Sequence, residues 1–285
     1  MAKRYGKPNR RLSAVFFLLA VILGAIFWGN ASIQTELFTF TSAELPASFD
    51  AFRAAVLTDL HGAEFGKNNE TLLAAVTAQS PDAIFLVGDL VDENTQDAAD
   101  YAAHLGAALN AIAPTYYVTG NHEWACGTET TERVKTALAD GGVTVLSNEF
   151  RTLSRGGDDI VIAGIDDPNG YAEQKTPEQL RLEVQSAKGD CFSILLAHRD
   201  SVEYYGGLGF SLTLCGHGHG GIFRIPLIDR GLLGTNRRFF PAYDGGLYEF
   251  DSGSACFVSR GLGNIGASFR VFNRPQLAVI KLERG

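Results

Sequence analysis

The sequence predicts an α/β protein built on parallel strands and preceded by one N-terminal apolar helix. Three observations predict it. Between residues 52 and 123 apolar runs of strand length alternate with helical stretches: "FRAAVLTDLHG", "NNETLLAAVTAQS", "DAIFLVGDLVD", "TQDAADYAAHLGAALNAI" and "TYYVTGNHE". Strand, helix, strand, helix, strand in that order implies parallel strands joined by right-handed crossovers. The pattern of an apolar run ending in polar residues then returns at "CFSILLAHRD" and "FSLTLCGHGHGG". Finally, residues 12–28, "LSAVFFLLAVILGAIFW", contain no charge at all.

That first segment as a helix spans about 25 Å at 1.5 Å per residue, close to the ~30 Å hydrocarbon core of a bilayer. It is longer than the usual apolar core of a signal peptide. Residues 1–11 hold five Lys/Arg and no acid, so the flank rule places the N-terminus in the cytoplasm, and Trp28 suits the membrane–water interface. Residues 1–11 thus read as a basic cytoplasmic tail, 12–30 as a single transmembrane anchor, and 36–285 as one extracytoplasmic domain. The small residues "GNA" at 29–31 keep a cleaved signal open, in which case the domain is secreted. Within that domain, "ELFTFTSAEL" alternates like a strand covered on one face. The first helical stretch is apolar at Leu72, Leu73 and Val76 and stops before Pro81.

Composition is that of a globular protein, with 46% hydrophobic and 20% charged residues. Setting aside the five basic residues of the tail leaves 19 basic against 32 acidic ones. Such an acidic body is a poor match to the phosphate backbone of nucleic acid, and no nucleic-acid partner is expected. Cys126, Cys191, Cys215 and Cys256 include no CxxC pair, which argues against a zinc knuckle or a dense disulfide scaffold. Most are expected to be buried free thiols, with bridges open if the domain is exported.

Each strand carries its polar residues at its C-terminal end: Asp59 and His61, Asp89 and Asp92, Asn121 and His122, His198, then His217 and His219. In open α/β sheets ligands bind just beyond those ends, so these residues should converge. Singly each motif is an ordinary turn; five in succession are not. His104 is the one histidine away from a strand end, and is expected to be an ordinary, part-exposed helix residue. Carboxylates, imidazoles and one amide, with no cysteine, suit two divalent ions such as Mn, Fe or Zn. Seven candidate ligands serve two ions if one carboxylate bridges, and ions about 3.5–4 Å apart clamp both oxygens of a phosphoryl transfer. Gly216, Gly218, Gly220 and Gly221 are expected to turn the backbone so that His217 and His219 reach different ions.

The ordered blocks DLH (59–61), GDLVD (88–92), GNHE (120–123), His198 and GHGH (216–219) resemble the calcineurin-like metallophosphoesterases. The resemblance implies a four-layer α/β/β/α sandwich of two mixed β-sheets flanked by helices. It also implies Asp59, His61, Asp89 and His219 on one ion and Asp89, Asn121, His198 and His217 on the other. His122 would face the substrate as general acid, with Asp92 holding its ring, while a water activated between the ions attacks phosphorus.

"AGIDDPNG" (163–170), "GHGHGGIFRIP" (216–226), "GGLYEF" (245–250), "SRGLG" (259–263) and "FNRPQLAVIKL" (272–282) resemble a narrower branch, the membrane-anchored bacterial phosphodiesterases. This implies a phosphodiester or pyrophosphate substrate, some relatives hydrolysing the pyrophosphate of UDP-diacylglucosamine, while membrane attachment points to a lipid-linked or envelope phosphoester. Gly218 departs from that pattern, where Thr is common, and this questions rate more than reaction. A phosphomonoesterase and a non-catalytic metal-binding interaction module are the alternatives. Arg224, Arg230, Arg237 and Arg238 lie in a long segment whose arginines either contact phosphate, nucleotide or lipid headgroups, or belong to a solvated loop.

Overall fold

The structure is a computed structural model that describes residues 10–285 except 222, 227, 235–238 and 265–268. Most of the basic tail, along with Arg237 and Arg238, lies outside the described residues. In chain order the first half comprises α1 (Arg10–Ala31), β1 (Gln34–Ser42), β2 (Arg53–Leu57), α2 (Glu70–Thr77), β3 (Ala83–Val87), α3 (Ala98–Asn110), β4 (Thr115–Val118), α4 (Asn121–Ala125), α5 (Thr128–Asp140) and β5 (Thr144–Val145). The second half comprises β6 (Glu149–Arg155), β7 (Asp158–Ile165), α6 (Pro177–Lys188), β8 (Ser193–Ala197), α7 (Val202–Gly206), β9 (Leu212–Cys215), β10 (Phe223–Ile225), β11 (Arg230–Leu233), β12 (Gly246–Glu249), β13 (Ala255–Val258) and β14 (Gln276–Arg284).

Two six-stranded sheets form, in the orders β1-β14-β2-β3-β4-β5 and β12-β13-β9-β8-β7-β6. The expected parallel set β2, β3, β4 is present, and β14 is inserted antiparallel to β2, which makes the sheet mixed. In the second sheet β13, β9, β8 and β7 run parallel, with antiparallel β12 and β6 at the edges.

Both central sheets are buried on both faces, which is why their strands read as unbroken apolar runs. In β3, Ala83, Phe85 and Val87 face the core between the sheets, beside Ile194, Leu196 and Leu214. The alternate residues Ile84 and Leu86 pack outward against Leu72, Leu105 and Leu138 of the helices. The second sheet repeats this arrangement, with Leu195 and Ala197 packing on Leu180, Val184 and Tyr205. Helix, sheet, sheet, helix is the four-layer order implied above. Strand β1 alternates in exposure, as an edge strand covered on one face does.

Helix α1 includes a 20-residue apolar stretch, Leu12–Ala31, with a mean hydropathy of 2.4 in its most apolar window, only 6% of which is buried. The long segment after His219 is not wholly irregular: β10 and β11 pair as an antiparallel hairpin.

Candidate metal centre

The loops after β2, β3, β4, β8 and β9 meet in one cluster, because parallel strands point their C-terminal ends to the same edge. His61 Nε2 stands 3.2 Å from His219 Nε2, and His219 Nε2 stands 3.5 Å from Asp59 Oδ1. Across the cluster, His198 Nε2 lies 2.9 Å from Asp89 Oδ2 and the His217 ring lies 5.2 Å from the His198 ring. Potential ligand atoms of Asp59, His61 and His219 lie within 4.8 Å of one another, as do those of Asp89, His198 and His217, and those of Asp89, His61 and His122. Asp89 therefore reaches both sides.

The backbone makes this possible at a cost. Asp59, His61, Asp89, His217 and His219 all have positive φ, between 49° and 69°. This left-handed region costs side-chain-bearing residues roughly 1–3 kcal/mol each and is held only by surrounding structure. It also corrects the expectation about the glycines. In the "GHGHGG" turn positive φ falls on the two histidines and on Gly220 and Gly221, whereas Gly216 and Gly218 are not in that region. Gly120 serves close approach instead: a Cβ there would sit 2.2 Å from Asp89 Oδ1.

Glu123 is what holds the Asp89 loop. Fully buried, its carboxylate accepts N–H bonds from Asp89, Leu90, Val91 and Gly120 at 2.6–3.1 Å. Asp59 is fixed by the Thr58 hydroxyl and by the backbone N–H of His217. Two arginines support the paired histidines. Arg199 grips Asp167 with Nε and Nη2 and places Nη1 3.1 Å from His217 Nε2. Arg270, buried among carbonyls of residues 260 and 263, places Nη2 3.2 Å from His219 Nδ1. Sequence reasoning passed over Glu123, Asp167, Arg199 and Arg270 as site residues. The first three do stand in or beside quoted motifs, but their partners lie far away in sequence.

The catalytic pair needs a correction. The group at hydrogen-bond distance from the His122 ring is Glu93, with Oε2 3.1 Å from Nδ1. Asp92 turns the other way, 3.9 Å from His61 Nδ1, because its Oδ1 is held in a turn with Asn94 and Thr95. His104 is exposed beside Asp100, as expected. Arg224 is buried and bonded to the carbonyls of Gly220 and Asp244 and to Asp229, so it staples the hairpin and is not free for a headgroup. Arg230 pairs with Asp244. All four cysteines are unbridged, and Cys215 and Cys256 are the two fully buried ones.

The cluster's electrostatics follow from dense burial of like and unlike charges. Burial pushes the Asp59 carboxyl up to about 6, against the opposing pull of His198. Burial also pushes Asp89 up, but the His198 and His61 imidazoles outweigh it and hold the carboxyl well below its usual range. His198 is the converse: burial lowers it, and Asp89 and Asp59 raise it to about 10. Burial, His198 and Arg199 push His217 down to about 3, and burial with Arg270 pushes His219 well down.

Three buried atoms in the cluster lack an aligned hydrogen-bond partner: His61 Nδ1, Asn121 Oδ1 and His198 Nε2. Each such orphan costs about 1–3 kcal/mol if nothing meets it. His198 Nδ1 lies 2.9 Å from the Val87 carbonyl and donates there, so Nε2, whose proton faces Asp89 at 2.9 Å, is the nitrogen that would exchange that proton for a cation. This set of nitrogen and oxygen donors fits divalent cations.

Comparison with known proteins agrees with that chemistry. The sequence profile described as calcineurin-like phosphoesterase matches residues 52–221, well over half of the 285-residue chain. An uncharacterized metallophosphoesterase of Campylobacter jejuni, Cj0846, is 30% identical over 99% of this chain and 74% of its own. The phosphodiesterase YaeI of Escherichia coli is 27% identical over 81% of this chain and 82% of its own. A transmembrane protein with metallophosphoesterase domain from Danio rerio is 28% identical over 85% of this chain, which spans 55% of that relative. Among solved structures, the NAD nucleotidase NadN of Haemophilus influenzae superposes with a TM-score of 0.50 over 74% of this chain. The chain spans 46% of that protein at 14% identity, a likeness of fold alone.

Proposed function

Because this chain belongs to the calcineurin-like phosphoesterase family, whose members are metal-dependent phosphoester hydrolases, we propose that it works as a membrane-anchored phosphodiesterase or pyrophosphatase. The observation that carries the reading is the position of Asp89, whose carboxylate lies within ligand reach of His61 on one side and of His198 and His217 on the other. One ion falls to Asp59, His61, Asp89 and His219, the second to Asp89, Asn121, His198 and His217. When bound, such a pair lowers the pKa of a water towards neutrality and neutralises charge developing on the phosphoryl oxygens.

The chain's own groups do the rest. Glu123 keeps Asp89 at the centre by holding the N–H groups of Asp89, Leu90 and Val91, and Gly120 leaves room for the Asp89 carboxylate. His122 is anchored through its backbone N–H to Asp89 Oδ1 at 2.8 Å, and its ring stands edge-on to His61 at 4.7 Å. Glu93 orients the ring at Nδ1, which assigns Nε2 the task of protonating the leaving oxygen. Asp92 is reassigned to the His61 side. The name of the YaeI relative supports a diester, the apolar α1 together with the Danio rerio relative's name supports a membrane anchor, and the basic residues before α1 favour a domain outside the cytoplasm.

Turnover of bis(p-nitrophenyl) phosphate against the monoester, after reconstitution with Mn, Fe or Zn, tests the reading. Preference for the diester is expected; preference for the monoester would make the chain a phosphomonoesterase. Two bound equivalents with neither ester turned over would make it a metal-binding interaction module.

A further inference from the structure

The apolar helix is not loosely appended to the domain. The Asn30 side chain exchanges two 2.8 Å hydrogen bonds with the backbone of Arg270 and accepts a third from the Asn264 amide. Arg274 stacks over the Trp28 ring at 4.4 Å and bonds Ser32 and Ile33 just past the helix end. Trp28 and Asn30 are only about 3 Å apart along the helix axis. The depth of Trp28 therefore sets the depth of the clasped segment.

That segment exposes two aromatic rings, Phe269 at 50% and Phe272 at 59%. They flank Arg270, which points inward to His219. On the other side of the clasp, Asn264 lines an open polar cleft of about 440 Å³ that also includes His61, Asp92 and Tyr101. The helix end, the segment that carries the exposed aromatics, the cleft wall at Asn264 and the candidate metal centre are thus linked by hydrogen bonds through Asn30 and Arg270.

We propose that Phe269 and Phe272 form a membrane-contacting rim that rests in the bilayer interface beside Trp28. The cleft then opens at the lipid surface, and the substrate is a lipid that presents its phosphoester headgroup sideways from that surface. This rests on the anchor reading of α1, and is favoured by continuity: aromatic rings seat at the headgroup level of a bilayer, and the clasp fixes these two within a few residues of the interfacial end of the helix.

The full-length chain in vesicles of acyl-brominated phosphatidylcholine tests it, since bromine quenches only tryptophans in contact with lipid. Wild-type emission reports Trp28, while Trp124, 9% exposed, serves as a constant background. In a Trp28→Phe chain, Phe272→Trp is expected to restore quenching to at least half the wild-type extent. Quenching of Trp28 but not of the tryptophan at 272 overturns the rim and leaves the anchor standing. No quenching at either position overturns both. A lipid-independent blue shift at 272 accompanied by a dimer on sizing overturns the rim in favour of a second copy of the chain. As a functional arm, Phe269→Ser/Phe272→Ser should lower hydrolysis of hexadecyl p-nitrophenyl phosphate in vesicles at least tenfold. Its turnover of soluble bis(p-nitrophenyl) phosphate should be unchanged, which also shows that the variant is folded. Equal loss on both substrates, or on neither, overturns the proposal.

Discussion

The two sheets contribute to the candidate metal centre in different ways. The first supplies both aspartates of the cluster, the asparagine and His61 from the loops after β2, β3 and β4, and its central loop is held by a buried acid, Glu123. The second supplies only histidines, and its paired ones are held by arginines. The acid behind the loop, pushed up to about 7 by burial and by Asp89, adds a partial negative charge at neutral pH that favours nearby cations. A guanidinium, which can only donate, sets a positive charge beside each paired ring, and that charge repels a nearby cation. It stands at His217 Nε2 and at His219 Nδ1, the nitrogen turned away from Asp59 and His61. His198 is the exception on its sheet, since a backbone carbonyl fixes its tautomer. One side of the site is thus prepared for metal while the other is oriented against electrostatic resistance.

The sharpest way to break this comparison is to remove what both sides share. Asp89→Asn is expected to abolish stoichiometric binding of both ions and to lower turnover roughly a thousandfold. His122→Ala should lose turnover while keeping its metal, so elemental analysis of the two variants separates bridge from acid; an empty His122→Ala site contradicts that division.

Next in size is the support of the first sheet. Glu123→Ala strands four buried N–H groups and should cost about 3–5 kcal/mol in denaturant unfolding, with Glu123→Gln recovering part of it. A loss below about 1 kcal/mol would mean that the loop finds other partners.

The arginines should respond in the opposite sense. Arg199→Met removes a positive charge and frees Asp167, so metal affinity measured by calorimetry is expected to rise about tenfold, or ~1.4 kcal/mol. Falling affinity would show that orientation of His217 outweighs repulsion. Chelation of wild-type protein should lower its stability by about 4 kcal/mol for free metal near a thousand times its dissociation constant, as read from the melting temperature; the drop should be smaller in His198→Ala.

The smallest effect is expected at Gly218. A Cβ there would lie 2.8 Å from Asp200 Oδ2, so Asp200 occupies the space a threonine side chain needs. Gly218→Thr should change turnover only a few-fold and cost about 1 kcal/mol, with Asp200→Ala in the same chain relieving the cost.

Much of the candidate site was legible because residues that converge on one edge of an α/β sheet must lie where its strands end. Asp59, His61, Asp89, Asn121, His198, His217 and His219 each follow an apolar run, and parallel topology brings them together. Glu123 had a visible position in "GNHE" but no visible task, since its four donors come from another loop as well as its own. Arg270 had no local signal, because its contact with His219 spans 51 residues. The charged stretches that become α5 and α6 bury few apolar side chains, chiefly Val134 and Leu138 in one and Leu180 and Val184 in the other. Without the sheets they cover, that pattern is weak.

The sequence by itself determined the chemistry: which residues carry lone pairs for cations, their order along the chain, and the apolar periods that make two buried sheets. Those properties are local, set by residue type and spacing. Tertiary structure decided the pairings. It gave His122 to Glu93 and Asp92 to His61, put the left-handed backbone of the last turn on His217 and His219 and not on Gly216 and Gly218, and clasped the helix end to a segment beside the site. Such choices depend on angles and distances between segments far apart in the chain, to which a linear pattern is blind.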